Sequence, residues 1–262
     1  MKIVVTVKLV PDTNADKRID PATKRLVRTG VETVLNPFDE YAIEAALQLR
    51  EKRNDGSTVT IFSMAPESGK EIVRKALAMG ADDAVMVSDA KLEGSDVAST
   101  AHAMAAALKK VGFDLLLCGT QSTDAISGEV PGYLAELLGV PGLTYVRKLD
   151  GDGNTINAQR ETDLGYLEVA VQTPALVSVT KAINEPRYPS LKGIMGAKKK
   201  EIKVFSLADL DLARAVGSDG AKTEVLDLAT PPGREKGRVV TVADGAEGAG
   251  AIFDFLREKK LL

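Results

Sequence analysis

The sequence has few of the side chains that most often carry out chemistry. It contains one cysteine, one histidine and no tryptophan, and aromatic residues make up 4% of the chain. A single cysteine excludes an internal disulfide framework, and a single histidine excludes a metal site built from several histidines. A Ser-His-Asp triad would depend on His102, which lies in an alanine-rich segment typical of a helix. We therefore predict no catalytic residue and no metal site, and we interpret His102 and Cys118 as structural.

The chain also has no large excess of charge of one sign and no long apolar run. The 34 basic and 37 acidic residues give a net charge of −3, which indicates no nucleic-acid partner. No apolar stretch approaches the roughly 18 residues that a membrane helix requires, so we expect no membrane insertion. The apolar start of the chain is not followed by a small-residue cleavage site. Together with the unpaired cysteine, this leads us to expect a cytoplasmic protein.

Short apolar, β-branched runs alternate with helical patterns in the first half of the chain. The predicted strands cover residues 3–7, 58–63, 84–87 and 115–118. Four helices are predicted between these strands. The first begins at Asn36-Pro37 with Asn36 as its cap, and the second begins after residues 66–69. The third begins with Ser95 as its cap, and the fourth runs from about residue 130 to 138. Strands that alternate with helices through short connections are typical of an α/β fold with a doubly wound, mainly parallel sheet.

The pattern changes after Pro141. Residues 150–153 read Asp-Gly-Asp-Gly, which is a hairpin turn signal. Further strands are predicted at residues 145–149, 155–160, 167–172 and 175–180.

The C-terminal part of the chain has little to build a core. Residues 205–245 contain few apolar runs, and a last amphipathic helix is predicted at about residues 251–260. We expect a domain of residues 1–220, followed by an extended C-terminal arm, residues 221–262, that needs a partner to order it.

Polar loops follow three of the predicted strands at their carboxyl ends, where parallel sheets bind ligands. They cover residues 6–10, 63–69 and 119–131. Residues 127–131 precede a helix, whose free N–H groups and dipole favour phosphate. An ordinary strand-to-helix connection has the same pattern, so both interpretations stay open here. They also stay open for Gly94-Ser95-Asp96, which begins another predicted helix.

A basic run, Lys198-Lys199-Lys200, has two interpretations. It is either a solvated surface or the collar of a docking surface, because the apolar residues Leu191, Ile194 and Met195 lie just before it. An exposed apolar tip with a basic collar is typical of protein docking.

Residues 184–200, which read NEPRYPSLKGIMGAKKK, closely resemble the signature of the electron-transfer flavoprotein β (small) subunit. Further matching motifs are Val7-Lys8, Asn36-Pro37-Phe38-Asp39-Glu40, Ala76-Leu77-Ala78-Met79-Gly80-Ala81-Asp82, Gly119-x-Gln-x-x-Asp124 and Pro231-Pro232 in the tail. The resemblance covers essentially the whole chain.

The resemblance implies a heterodimer whose α subunit makes most of the contacts to a redox-active FAD. It implies that the β chain folds as a nucleotide-binding domain of the adenine nucleotide α-hydrolase-like kind, with a C-terminal arm and helix that contact the α subunit. Such a dimer accepts electrons from flavin dehydrogenases, such as the acyl-CoA dehydrogenases of fatty acid β-oxidation, and passes them to a quinone reductase or other acceptor. In most members the β subunit also binds a structural AMP.

Site residues follow from the resemblance position by position. The cofactor-binding positions are Thr6, Asn36, Pro37, Phe38, Asp39, Met64, Asp124, Ala125, Ile126, Ser127, Gly128, Glu129, Val130 and Pro131. Thr13 and Phe38 match positions near the flavin. Leu191, with Ile194 and Met195, matches the loop that docks into partner dehydrogenases.

Two alternatives stay open beside the AMP-binding carrier. The loop of residues 122–131 lacks the Asp-rich sequence of well-known AMP-binding members, and with Gly94-Ser95-Asp96 it is similar to members that carry a second FAD in place of AMP. Those members oxidise NADH and bifurcate its electrons. A stand-alone nucleotide-binding stress-type domain is the third interpretation, which the long tail and the basic segment disfavour.

Overall fold

The computed structural model describes residues 1–229, 232–233 and 236–262. The chain divides into two compact units, Met1–Leu226 and Asp227–Leu262. Pro231 of the tail motif lies outside the described residues. The boundary falls shortly after the predicted end of the domain at residue 220. That residues 221–262 form an arm on a partner stays a prediction.

The described residues form thirteen strands and seven α-helices. The strands are β1 (Lys2–Val7), β2 (Leu9–Pro11), β3 (Ile19–Asp20), β4 (Arg25–Leu26), β5 (Thr33–Leu35), β6 (Thr58–Met64), β7 (Asp83–Val87), β8 (Leu115–Gly119), β9 (Gly142–Asp152), β10 (Thr155–Thr162), β11 (Gly165–Gln172), β12 (Ala175–Val179) and β13 (Ile202–Phe205). The helices are α1 (Pro37–Arg53), α2 (Lys70–Ala78), α3 (Val97–Val111), α4 (Val130–Leu138), α5 (Leu191–Lys199), α6 (Gly217–Gly220) and α7 (Gly245–Glu258).

One nine-stranded sheet organises the first unit, in the order β11-β10-β9-β12-β8-β1-β6-β7-β13. Seven neighbouring strands, β9, β12, β8, β1, β6, β7 and β13, are parallel. Beyond β9, β10 and β11 extend the sheet with antiparallel pairing. The predicted α/β fold with a doubly wound, mainly parallel sheet is therefore confirmed. Two small antiparallel pairs, β2 with β5 and β3 with β4, lie outside this sheet.

An apolar core covers each face of the sheet. Ile3 and Val5 of β1 belong to the core that contains α1 and α2, whereas Val4 belongs to the core that contains α3 and α4. The central strands are buried on both faces, which explains why they are continuous apolar runs rather than alternating ones.

Two helix starts differ from the prediction. Asp96, not Ser95, caps α3, since its Oδ1 accepts the N–H of Ser99 at 2.8 Å. The last helix begins at Gly245 rather than near residue 251, because the Asp244 carboxylate accepts the N–H of Glu247 at 2.9 Å. The glycines of this stretch have low helix propensity, which hid the earlier start in the sequence.

Strand β13 was missed in the sequence, because it lies within a basic segment that we interpreted by its charge alone. Ile202 of β13 pairs in parallel with Ala84 of β7, and β13 is the outermost strand on that side of the sheet. The segment after residue 200 is therefore part of the fold.

The second unit contains α7. All of its side chains are at least partly accessible within the described residues, and Ile252, Phe253 and Phe255 are exposed. Considered by itself, this helix presents apolar residues without a core to cover them. Among the residues that the structure describes, no helix combines the length and apolarity needed to cross a bilayer.

Candidate functional site

The carboxyl ends of β1, β6 and β8 meet at one edge of the sheet, because the three strands are parallel neighbours. The first turn of α1 joins them there. Thr6 lies near the end of β1. Asp39 of α1 accepts the N–H of Lys8 at 2.7 Å. The structure therefore brings predicted residues from separate loops to one place.

Asn36 links the loops at this edge. Its side chain is buried, and its N–H donates to the carbonyl of Lys8 at 2.9 Å. Its Nδ2 donates to the carbonyl of Gln121 at 2.9 Å, and its Oδ1 accepts the N–H of Thr123 at 3.2 Å. Asn36 occupies the cap position of α1 as predicted, but its side chain makes no capping hydrogen bond. Its amide instead holds the loop after β8 against α1.

Asp39 and Gly119 fit together closely. Burial raises the pKa of Asp39 to about 7, although hydrogen bonds from Asn36 and from the N–H of Lys8 favour its ionised form. A Cβ at Gly119 would lie 2.5 Å from Oδ1 of Asp39 and 2.8 Å from the carbonyl of Phe38. Only glycine therefore lets β8 end against the first turn of α1.

We expect Asp39→Asn to remove a pH dependence of stability. The pKa of about 7 in the folded chain exceeds the unfolded value of about 3.9. Stability from this group is thus complete below about pH 4 and is lost as the pH rises towards 7. The free energy of unfolding of wild type relative to Asp39→Asn should fall by about 2.5 kcal/mol between pH 5 and pH 8, as measured by urea unfolding.

The exposed Asp16 provides the matched control for this substitution. Asp16→Asn should leave the pH dependence of the wild-type chain intact. A constant free-energy difference between wild type and Asp39→Asn across this pH range would contradict the assignment.

Asp124 forms the second charged centre of the edge. Its side chain is almost fully buried and accepts hydrogen bonds from Lys8 Nζ at 2.8 Å and Arg28 Nη2 at 2.6 Å. Burial alone would raise the pKa of Asp124, but the charge and hydrogen bond of Lys8 and the hydrogen bond of Arg28 lower it to about 2. The two ion pairs connect the loop after β8 to β1 and to the segment around β4.

We expect Asp124→Asn to lower the free energy of unfolding at pH 7 by about 1–2 kcal/mol. The effect is modest, because Lys8 and Arg28 are each nearly half exposed and water screens both ion pairs. Because the folded pKa lies below the unfolded one, the stabilisation is complete above about pH 4 and is lost as the pH falls towards 2. The urea midpoints of the two chains should therefore differ at pH 7, approach each other at pH 3 and converge only near pH 2.

Residues 125–127 and Glu129 are the exposed part of the loop, and α4 starts at Val130 as predicted. Ile126 has a φ of +57° and is exposed. Glu129, at the cap position of α4, makes no capping hydrogen bond, and the buried hydroxyl of Thr123 has no hydrogen-bond partner within the described residues. Free helix N–H groups and an unpartnered hydroxyl are groups that a nucleotide can satisfy.

The remaining predicted site residues have different surroundings. Pro37 and Phe38 lie half-buried in the first turn of α1, and Met64 ends β6, also half-buried. Pro131 is buried in α4, whereas Thr13 is exposed in the turn after β2. The roles of these residues stay predictions.

Arg28 is the site residue that the sequence did not suggest. It lies in a polar, basic stretch that contains several similar side chains, and only the fold selects it as a partner of Asp124. The buried polar character of Asn36 was likewise invisible in the sequence.

The predicted docking residues lie on a separate surface. Residues 191–199, which we expected to form a loop, form helix α5, whose cap Ser190 accepts the N–H of Gly193 at 3.0 Å. Leu191 is 76% exposed, and Ile194 and Met195 are exposed beside it. Their spacing places all three on one face of α5. The apolar tip is therefore a helix face, which we call the docking face.

Comparisons with known proteins agree with each other. The sequence pattern of the family described as "Electron transfer flavoprotein domain" matches residues 23–210. A protein of Megasphaera elsdenii, "Electron transfer flavoprotein subunit beta", is 41% identical over 267 residues, which cover 99% of this chain and 97% of that protein. The protein of the same name from Mycobacterium bovis is 42% identical over 265 residues and 99% of both chains. "Caffeyl-CoA reductase-Etf complex subunit CarD" of Acetobacterium woodii is 36% identical over 264 residues and 100% of both chains.

Proposed function

This chain belongs to the electron transfer flavoprotein subunit beta family, and from that premise we propose that it is one half of a heterodimeric electron carrier. The membership confirms the resemblance found in the motifs, and it implies an α-subunit partner and flavin-associated electron transfer. In the proposal, the dimer accepts electrons from flavin dehydrogenases, such as acyl-CoA dehydrogenases, and passes them to a quinone reductase or other acceptor. FAD, shared with the α subunit, supplies the redox chemistry when it is bound.

The proposed role of this subunit at the strand edge is to hold AMP. The observation that supports it is the combination of an uncapped α4 with the unpartnered hydroxyl of Thr123 in one loop. The N–H groups around residues 127–130 would bind the phosphate. Asn36 and Asp124 would hold that loop in place through their hydrogen bonds, and Phe38 and Thr13 would lie towards the flavin.

The alternative is a second FAD in place of AMP, in an NADH-oxidising, bifurcating dimer. The sequence of the loop at residues 122–131 favours it. The start of α3 does not, because Asp96 already accepts the N–H groups of Ser99, Lys222 and Thr223. With that helix start satisfied by the chain itself, the Gly94-Ser95-Asp96 motif has an explanation within the fold. We therefore prefer AMP.

The proposed partner contacts lie on two elements. The docking face of α5 would enter an apolar pocket of a dehydrogenase, with Lys198 and Lys199 as its basic collar. The α subunit would cover Ile252, Phe253 and Phe255 of α7, whose exposure supports a partner for this helix.

Co-expression with the α subunit from the same organism tests the proposal. We expect the two chains to co-elute in gel filtration with a flavin absorption spectrum that an acyl-CoA dehydrogenase and its substrate bleach. A β chain that stays a flavin-free monomer beside a folded α subunit would contradict it.

A further inference from the structure

The docking face follows a segment without helix or strand. Residues 184–190 have neither, and Leu191 is the first residue of α5. The orientation of Leu191 therefore depends on the side chains that fix this segment to the fold. Arg187 is in its middle.

Arg187 joins the segment to α1 through two carboxylates. Its Nε and Nη2 donate to Glu44 at 2.7 and 3.0 Å, and its Nη1 and Nη2 donate to Glu51 at 2.6 and 3.0 Å. Its backbone N–H also donates to Glu44 at 3.2 Å. Glu44 and Glu51 are two helical turns apart, so they lie on one face of α1. The guanidinium is therefore held at two points along the helix.

The carboxylates differ in burial. The side chain of Glu44 is 4% exposed, whereas that of Glu51 is half exposed. A buried carboxylate requires a charged, hydrogen-bonded partner, and the planar fork of arginine provides both for two carboxylates at once. A lysine at this position would keep the charge but lose the fork geometry.

The neighbouring contacts complete the attachment. Asn184 Nδ2 donates to the carbonyl of Tyr41 on α1 at 3.0 Å. At the far end of α5, Arg74 of α2 donates to the carbonyls of Ala197 and Lys200 at 2.9 and 3.2 Å. The docking helix is thus held at both ends, by Arg187 through its leading segment and by Arg74 at its C-terminus.

We propose that Arg187 is a positioning residue that fixes the docking face on α1 before a dehydrogenase binds. This inference rests on the proposed docking role of α5. Ordering a flexible segment at the moment of binding weakens affinity, and a segment that is already fixed avoids that loss. The electron-transfer step itself takes place at the cofactor, so Arg187 acts on binding alone.

Arg187→Lys in the co-expressed heterodimer tests the proposal, because it keeps a positive charge beside the buried Glu44. The KM of an acyl-CoA dehydrogenase for the heterodimer as electron acceptor should rise roughly 5- to 20-fold, with kcat within about twofold of wild type. Amide exchange in residues 185–195 should accelerate by about tenfold or more, with the flavin spectrum unchanged. Glu51→Gln, which removes only the half-exposed partner, should show a smaller shift in the same direction.

Arg147→Lys is the matched control, since Arg147 is a half-exposed arginine on the β9 hairpin. It should change neither KM nor exchange. Unchanged exchange and KM in Arg187→Lys would overturn the inference, as would a fall in thermal stability with an unchanged KM. The failure of the docking role and the failure of the inference are distinguishable. An unchanged KM in Leu191→Ala would contradict the docking role itself. A raised KM in Leu191→Ala together with an unchanged KM in Arg187→Lys would contradict only the inference.

Discussion

Gly119→Ala is expected to lower the free energy of unfolding by about 3 kcal/mol, the upper end of the usual cost of overpacking. The new methyl group would lie 2.5 Å from Oδ1 of Asp39 and 2.8 Å from the backbone carbonyl of Phe38. Neither neighbour can move easily, because Asp39 is buried and the Phe38 carbonyl belongs to the first turn of α1. The end of β8 must therefore separate from α1. Urea unfolding measures the loss directly.

Gly132→Ala is the control for this substitution. Gly132 lies in α4, next to the same edge of the sheet, and a Cβ built there meets no atom within 4 Å apart from its chain neighbours and the backbone of its own helix. Alanine should be neutral or stabilise the helix by up to about 1 kcal/mol. Equal stability of Gly119→Ala and wild type would show that the edge is looser than the structure indicates, and the proposed cofactor site would lose its framework.

Leu191→Ala is expected to raise the KM of an acyl-CoA dehydrogenase for the heterodimer by roughly 10- to 100-fold, with kcat nearly unchanged. Burying one leucine in a partner pocket contributes about 1.5–3 kcal/mol, and each 1.4 kcal/mol corresponds to a factor of ten. Leu191 is exposed in the isolated chain, so its truncation should leave the stability of the fold unchanged. Steady-state reduction of the heterodimer at varied concentration gives both constants.

Leu164→Ala is the matched control, because Leu164 is a fully exposed leucine between β10 and β11. It should leave KM at the wild-type value. If both substitutions raise KM equally, the effect belongs to surface apolarity in general, and the docking face has no special role.

The sheet could be predicted from the sequence because its strands are buried on both faces. Val4 and Val5 face opposite cores, so β1 appears in the sequence as an apolar, β-branched run. The start of α4 was equally clear, since Pro131 and the preceding polar loop mark a helix N-terminus. In such places local chemistry and tertiary structure agree.

The rest depended on contacts between distant parts of the chain. Ser95 and Asp96 are both good capping residues, and only the backbone geometry selects Asp96. Helix α5 contains Gly193 and Gly196, which weaken its helical pattern, and its place on α2 depends on hydrogen bonds from Arg74. Arg28 becomes a site residue only because the fold brings it to Asp124.

The cofactor content of the purified heterodimer tests the central claim most directly. Nucleotides released by denaturation from the co-expressed α and β chains are separated and quantified against the protein concentration. We expect one FAD and one AMP per heterodimer, as an electron carrier with a structural nucleotide in this subunit requires. Two FAD and no AMP per heterodimer would contradict the account and identify the bifurcating alternative.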